Sequence, residues 1–249
     1  TSAPLDGFNA NAFQTDFSPE IEFKKLENLT QNFNRSFGKN PKVFRAGRYA
    51  ANKNTIRSLI KLGYKVDSSF TPHLKWEGPT GNIINHELSP EQPYFTNEDD
   101  IYAGSKDGPI LEVPISILKS RNFFRKKYLW LRPKFSTFRE MKKIIRDIIK
   151  RYSHLDYVVL IMMFHSLEVI PKASPYTKTE AEVSKYLKLL ARTFNFAKEN
   201  LVILDNLQRA YISIKNDTSL KGNRDLDKFL ANIQIIDIGS RRSNAYIRA

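Results

Sequence analysis

Short apolar runs that each stop at polar side chains, with helix-length stretches between them, constrain this chain more than any other feature. Val43-Phe44 leads into Arg45-Ala46-Gly47-Arg48-Tyr49, and Tyr64-Lys65-Val66 leads into Asp67-Ser68-Ser69. A third run, 157–164, ends at His165-Ser166. Strands alternating with helices build a parallel α/β sheet or an α/β barrel. In such architectures the carboxyl ends of the strands present the catalytic groups. Arg45, Asp67 and His165 are therefore the candidate catalytic residues, and the expectation is one active site assembled from separated segments.

The remaining pattern agrees with an α/β fold. Ser18-Pro19 reads as a helix start, with Ile21, Leu26, Leu29 and Phe33 as its apolar face and Gly38 as its stop. A second helix is predicted over 52–62, with Ile56, Leu59 and Ile60 inward and Gly63 ending it. The flanking strands are predicted over 42–45 and 64–67. The stretch 70–109 breaks the pattern: it is rich in Pro, Gly and Asn, and a loop that long is usually functional or mobile. A strand is predicted over 110–117 with Pro114 near its end, then a helix over 135–151 built on Met141, Ile144, Ile145 and Ile148. The near-continuous apolar run 157–164 is the mark of a parallel strand covered on both faces. Thr179-Glu180-Ala181-Glu182 is a capping box opening a helix to about 199. A short strand over 201–204, a helix over 206–214 and a frayed tail over 239–249 complete the reading. No repeat or linker interrupts the 249 residues, so one domain over 1–249 is expected.

Composition narrows the chemistry. There is no cysteine, which excludes thiol catalysis, cysteine zinc sites and disulfides. The longest apolar run is too short to span a bilayer. The formal charge is +14, and residues 119–151 hold 13 Lys and Arg against Glu140 and Asp147, a local excess of +11. That segment is either a solvated basic face or a surface for anionic polymers or membrane headgroups. Nucleic acid is disfavoured because no binding motif accompanies the charge.

These motifs together resemble those of the polysaccharide deacetylases of the NodB-homology type, a carbohydrate esterase family. The resemblance is carried by Phe44-Arg45-Ala46-Gly47-Arg48-Tyr49, by 63–73 with Asp67-Ser68-Ser69 inside it, and by Glu112-Val113-Pro114-Ile115. It continues through Met163-Phe164-His165-Ser166 and Ala173-Ser174-Pro175-Tyr176, covering roughly 28–196. It implies a distorted (β/α) barrel and metal-dependent hydrolysis of an N- or O-acetyl group from a polysaccharide or glycan intermediate. By matching position, Arg45 is the Arg that orients the catalytic base, Asp67 the Asp of the fourth motif and His165 the general acid. The branch resembled lies near cell-surface glycan synthesis, which implies a cytoplasmic or cell-envelope location in a bacterium.

The departures are specific. The family's Asp-Asp pair and close His pair, which supply base and metal ligands, precede the third motif and have no counterpart here. Asp99-Asp100 comes after the third and fourth motifs, and the histidines at 73, 86, 154 and 165 have no i, i+4 spacing. Gly47-Arg48 replaces the third motif's usual Pro, and Ser166 replaces the Asp that often follows the acid His. The divalent, zinc-like metal of the family therefore has no ligands in this chain. The chain opens in Thr1-Ser2-Ala3-Pro4 without a Met, so we expect an N-terminal piece to be missing, the barrel to be incomplete and the chain to be inactive alone.

The residue types suit the reaction. Acetyl hydrolysis needs an activated water, oxyanion stabilisation and an acid for the leaving group. An imidazole with a pKa near 6.5 can be that acid at neutral pH. A guanidinium at a strand end can hold a carboxylate through two hydrogen bonds. Alternatives stay open: a plain Arg45–Asp67 ion pair, a turn capped by Asp67 through Ser68 and Ser69, and a His165 merely packed in a loop. Tyr49, His73, Trp76 and Tyr94 are the candidate sugar contacts, although aromatics more often serve the core. A glycan-binding barrel without catalysis and a basic module for anionic polymers are the rival functions.

Overall fold

The computed structural model describes residues 13–78, 80–105, 107–120, 128–200 and 202–216, together with the backbone of 233–237. The fold is mixed α/β and divides into two compact units, Thr1–Pro114 and Ile115–Ala249.

In the first unit, α1 (Pro19–Phe37) starts at Ser18, whose hydroxyl accepts from the Ile21 amide, and stops at Gly38 with φ +66°. Only a residue tolerant of the left-handed region ends a helix this way without strain. The expected apolar face needs correction: Leu26 is buried, but Leu29 is 41 % exposed, and the other fully covered positions are Glu22 and Thr30. Polar bonds explain the choice. Glu22 Oε1 accepts from Thr55 Oγ1 at 2.5 Å and Gln14 Nε2 at 3.1 Å, while the Thr30 and Tyr64 hydroxyls bond at 2.9 Å.

Strand β1 (Val43–Phe44) leads through a tight turn to α2 (Lys53–Lys61), which Asn52 caps on the Asn54 and Thr55 amides. Ile56 and Leu59 of α2 are fully buried. Next come β2 (Val66–Asp67), the hairpin β3 (Lys75–Glu77) and β4 (Ile83–Asn85), then β5 (Tyr94–Phe95) and β6 (Leu111–Glu112). The sheet order is β1-β2-β6-β5, with β1, β2 and β6 parallel and β5 antiparallel to β6. Three short strands thus lie inside the stretch expected to be irregular.

The strand expected over 110–117 is two strands. Pro114 has no amide to give to a ladder, so β6 ends before it and β7 (Ile117–Lys119) starts beyond it, in the second unit. There β7 pairs antiparallel with β8 (Tyr128–Trp130). Helix α3 (Phe138–Arg151) follows, opened by a reciprocal Thr137–Glu140 capping box, and its Met141, Ile144, Ile145 and Ile148 are all buried as expected. The fully buried β9 (Val158–Met162), α4 (Glu180–Glu199), β10 (Ile203–Asp205), α5 (Leu207–Asn216) and β11 (Ile233–Asp237) complete the unit. Its parallel sheet runs β10-β11-β9. The tail 239–249 lies outside the described residues. No helix among the described residues is long and apolar enough to cross a membrane.

Candidate functional site

The carboxyl ends of β1, β2 and β6 lie side by side, and this places Arg45, Asp67 and Glu112 together. Register pairs Phe44 with Asp67 and Asp67 with Glu112, while Tyr94 on β5 opposes Glu112. Residues in register on neighbouring strands project from the same face. Asp67 and Glu112 are therefore lateral neighbours, and both are completely buried.

Arg45 leaves the end of β1 and reaches across to the end of β2. Its Nε donates to the Ser68 carbonyl at 2.7 Å and its Nη2 to Ser68 Oγ at 2.5 Å. Ser68 Oγ in turn donates to the Val113 carbonyl at 2.6 Å, which ties the three strand ends together. Arg45 thus binds the Asp67-Ser68-Ser69 segment through Ser68 and makes no direct ion pair with the Asp67 carboxylate. Asp67 Oδ1 instead accepts from the Ser68 amide at 2.8 Å and Ser69 Oγ at 2.6 Å, the turn-capping alternative. Ser69 Oγ also accepts from the Ala46 amide at 2.9 Å, closing the loop back to β1.

Burial dominates the electrostatics. Desolvation lowers the Arg45 guanidinium to about 10, against the opposing pull of Tyr49, Asp67 and Glu112. Desolvation likewise raises Asp67 to about 6, and the Ser69, Glu112 and Ser68 hydrogen bonds and the Arg45 charge only partly offset it. Glu112 is pushed well above the ordinary carboxyl range, first by burial and then by the neighbouring Asp67 charge. Glu112 Oε1 accepts from the Phe70 amide at 3.0 Å. Glu112 carries no role in the sequence reading beyond its place in a motif. Its signal is a lone acid in the apolar run Ile110-Leu111-Glu112-Val113.

The candidate sugar contacts are spread through the same unit. Tyr49 is half-buried and follows Arg48, and both have positive φ, 60° and 54°. Two consecutive non-glycine residues in the left-handed region store strain beside Arg45, a pattern that clusters at functional sites. His73, also at positive φ (70°), holds Glu91 at 2.7 Å. Tyr94 packs in the core with its hydroxyl donating to the Ile101 carbonyl at 2.8 Å, and burial raises its phenol. Trp76 stands edge-on to His86 at 5.4 Å. His86 is fully buried: Nδ1 accepts from the Thr71 amide at 3.1 Å, so Nε2 carries the hydrogen donated to the Ala51 carbonyl at 3.1 Å. Burial lowers this imidazole to about 4, so it stays neutral as a tie between loops.

His165 belongs to the second unit. It is exposed, just beyond β9, and opens a 3-10 turn over Ser166–Val169. The Glu168 amide donates to the His165 carbonyl at 2.9 Å. Glu168 is fully buried and takes bonds from Tyr186 Oη and from Arg132 Nη2, the latter at 3.4 Å. This buried acid fixes the turn that presents His165; Glu168, Arg132 and Tyr186 went unnoticed in the sequence because only folding brings them together.

No family model, curated protein or solved structure matches this chain. Among the described residues no group of three or more His, Asp or Glu side chains is placed to hold a metal. The zinc-like ion implied by the resemblance thus finds no ligand set among them.

Proposed function

We propose that this chain is a carbohydrate deacetylase of the NodB-homology type, with the (β/α) barrel of that family, acting on the acetyl groups of a polysaccharide or glycan intermediate. The supporting observation is the Arg45 guanidinium anchored on the strand end that carries Asp67, at the carboxyl ends of parallel strands, where α/β enzymes present their chemistry. Arg45 is the group that orients a carboxylate, and the Asp67 turn holds the Ser68 carbonyl that fixes its direction. His165 is the acid that gives its proton to the departing amine or alkoxide as water adds to the acetyl carbon and the C–N or C–O bond breaks, and the proton lost by that water restores the imidazolium. Its exposure leaves it accessible to a polymeric substrate. Removing a general acid lowers rate by about 10²–10⁴-fold. Acetate release by the full gene product from acetylated oligosaccharides should fall by about that factor in His165→Ala, and comparably in Arg45→Ala. Unchanged rates in both variants would reject the assignment. Chelator sensitivity is the further outcome implied by the resemblance.

A second reading rests on α3, which exposes Arg139, Lys143, Arg146, Lys150 and Arg151. Arg146 lies over the Phe196 ring at 4.9 Å and Arg192 over Phe138 at 4.3 Å, so part of this charge is fixed on aromatic faces. Such a face suits an anionic polymer or membrane surface. Binding to acidic polysaccharide that weakens steeply with salt supports it, whereas salt-insensitive binding points to a sugar-recognition site. Residues 121–127 of the basic segment lie outside the described residues, and Arg132 is buried against Glu168 rather than on the face.

A further inference from the structure

Two carboxyls with no exposure stand in register on adjacent strands, and the cation that acts on them among the described residues, Arg45, is already engaged by Ser68. Each has one oxygen satisfied by its own strand-end loop: Asp67 Oδ1 by the Ser68 amide and Ser69 hydroxyl, Glu112 Oε1 by the Phe70 amide. The other oxygen of each, Asp67 Oδ2 and Glu112 Oε2, is buried and receives no donor from any other group. Two ionised carboxylates there would place two negative charges and two unmet acceptors against one guanidinium, an arrangement that desolvation and like-charge repulsion make very costly. One proton removes both problems, because it leaves a single negative charge opposite Arg45 and gives the two orphan oxygens to each other.

We propose that Asp67 and Glu112 hold one proton between them at neutral pH and act as a positioning pair that keeps the Arg45–Ser68 contact in place. Glu112 is the donor and Asp67 the acceptor, since Asp67 already takes two hydrogen bonds as an anion would. The groups facing the pair are consistent with this. Arg45 and Tyr49 approach from the end of β1, Tyr94 from β5, and Tyr102 from the loop before β6. Burial raises the Tyr94 and Tyr102 phenols, which stay neutral, so Arg45 is the cation that balances the pair. Loss of the shared proton at higher pH would leave an uncompensated charge under the Ser68 and Phe70 loops and loosen the seat of Arg45. The inference requires no substrate and stands whether or not the chain is a deacetylase.

The test is a pH titration of the full chain with ¹³C-labelled Asp and Glu carboxyls, read by NMR. One carboxyl resonance should remain at its protonated position at pH 7; ionisation of every Asp and Glu below about pH 5 overturns the proposal. As that carboxyl ionises, the Arg45 Nε–H should lose protection from exchange with the same midpoint, and protection indifferent to the titration overturns the positioning role. Stability gives a second readout. The unfolded chain releases the proton, so from about pH 5 up to the pH at which the folded pair itself ionises, the unfolding constant should rise by about tenfold per unit relative to Glu112→Gln, whose amide donates permanently. Parallel pH profiles for the two proteins would also count against the shared proton.

Discussion

His86 shows what a buried side chain does to pH behaviour. Its imidazole is about 4 in the folded chain against 6.5 when unfolded, because burial disfavours the cation. The sign follows from proton counting: the unfolded state binds a proton first, so the stability His86 supports is complete above pH 6.5 and is lost as pH falls toward 4. Its full size is about 3 kcal/mol. Asp67 and Glu112 run the other way, since raised carboxyls contribute most below their unfolded values and lose that contribution as pH rises through their folded ones. Denaturant midpoints at pH 7 and pH 5 should therefore separate the two effects: His86→Gln, which can keep both hydrogen bonds, should lose less stability on acidification than wild type. An equal loss in both proteins would contradict the neutral tautomer. At this scale the places of Arg45, Asp67 and His165 at or just beyond strand ends were legible in the sequence, because each follows an apolar run. Glu112, Glu168 and Arg132 were not, because a lone buried acid or base declares itself only when the fold shows what it faces.

At the scale of elements, local chemistry decided what could be read. Helices α2, α3 and α4 start at Asn52, Thr137 and Thr179, whose side chains take the first free amides, and such caps are written in the sequence. Thr137→Ala should lower stability by about 1 kcal/mol, measured by urea unfolding, with α3 helicity reduced at its first turn. The β3–β4 hairpin and β5 escaped notice because two- and three-residue strands carry no periodicity, and their pairing depends on partners distant in sequence. Pro114 was visible, but its effect, dividing one apolar run between two sheets, depends on where each half finds partners. Gly108 illustrates a requirement set by close approach. A Cβ there would lie 2.2 Å from the Thr96 carbonyl oxygen, so the backbone itself must move. Gly108→Ala should destabilise by about 1–3 kcal/mol, seen as a lower Tm; an unchanged Tm would mean that the β5–β6 contact yields freely.

For the whole molecule, the α/β character was legible from alternation alone, while the division into two compact units was not, since no linker composition marks the junction near Pro114. The charge of +14 is concentrated in 119–151, within the second unit, whereas the carboxyl pair and Arg45 belong to the first. The buried carboxyl pair and the basic segment are thus carried by different units, while the candidate acid His165 shares the second unit with the basic segment. Raising salt from about 50 to 200 mM should weaken any hold on acidic polysaccharide severalfold through the screening of exposed charge. The buried Arg45–Ser68 contact should be insensitive to the same change. The central claim, that this is an acetyl-removing hydrolase, is tested most directly by following free acetate by ¹H NMR while the full gene product is incubated with N- and O-acetylated oligosaccharides. The account predicts acetate accumulation that stops when Arg45 or His165 is replaced by Ala; glycans that bind and leave with every acetyl group intact would contradict it.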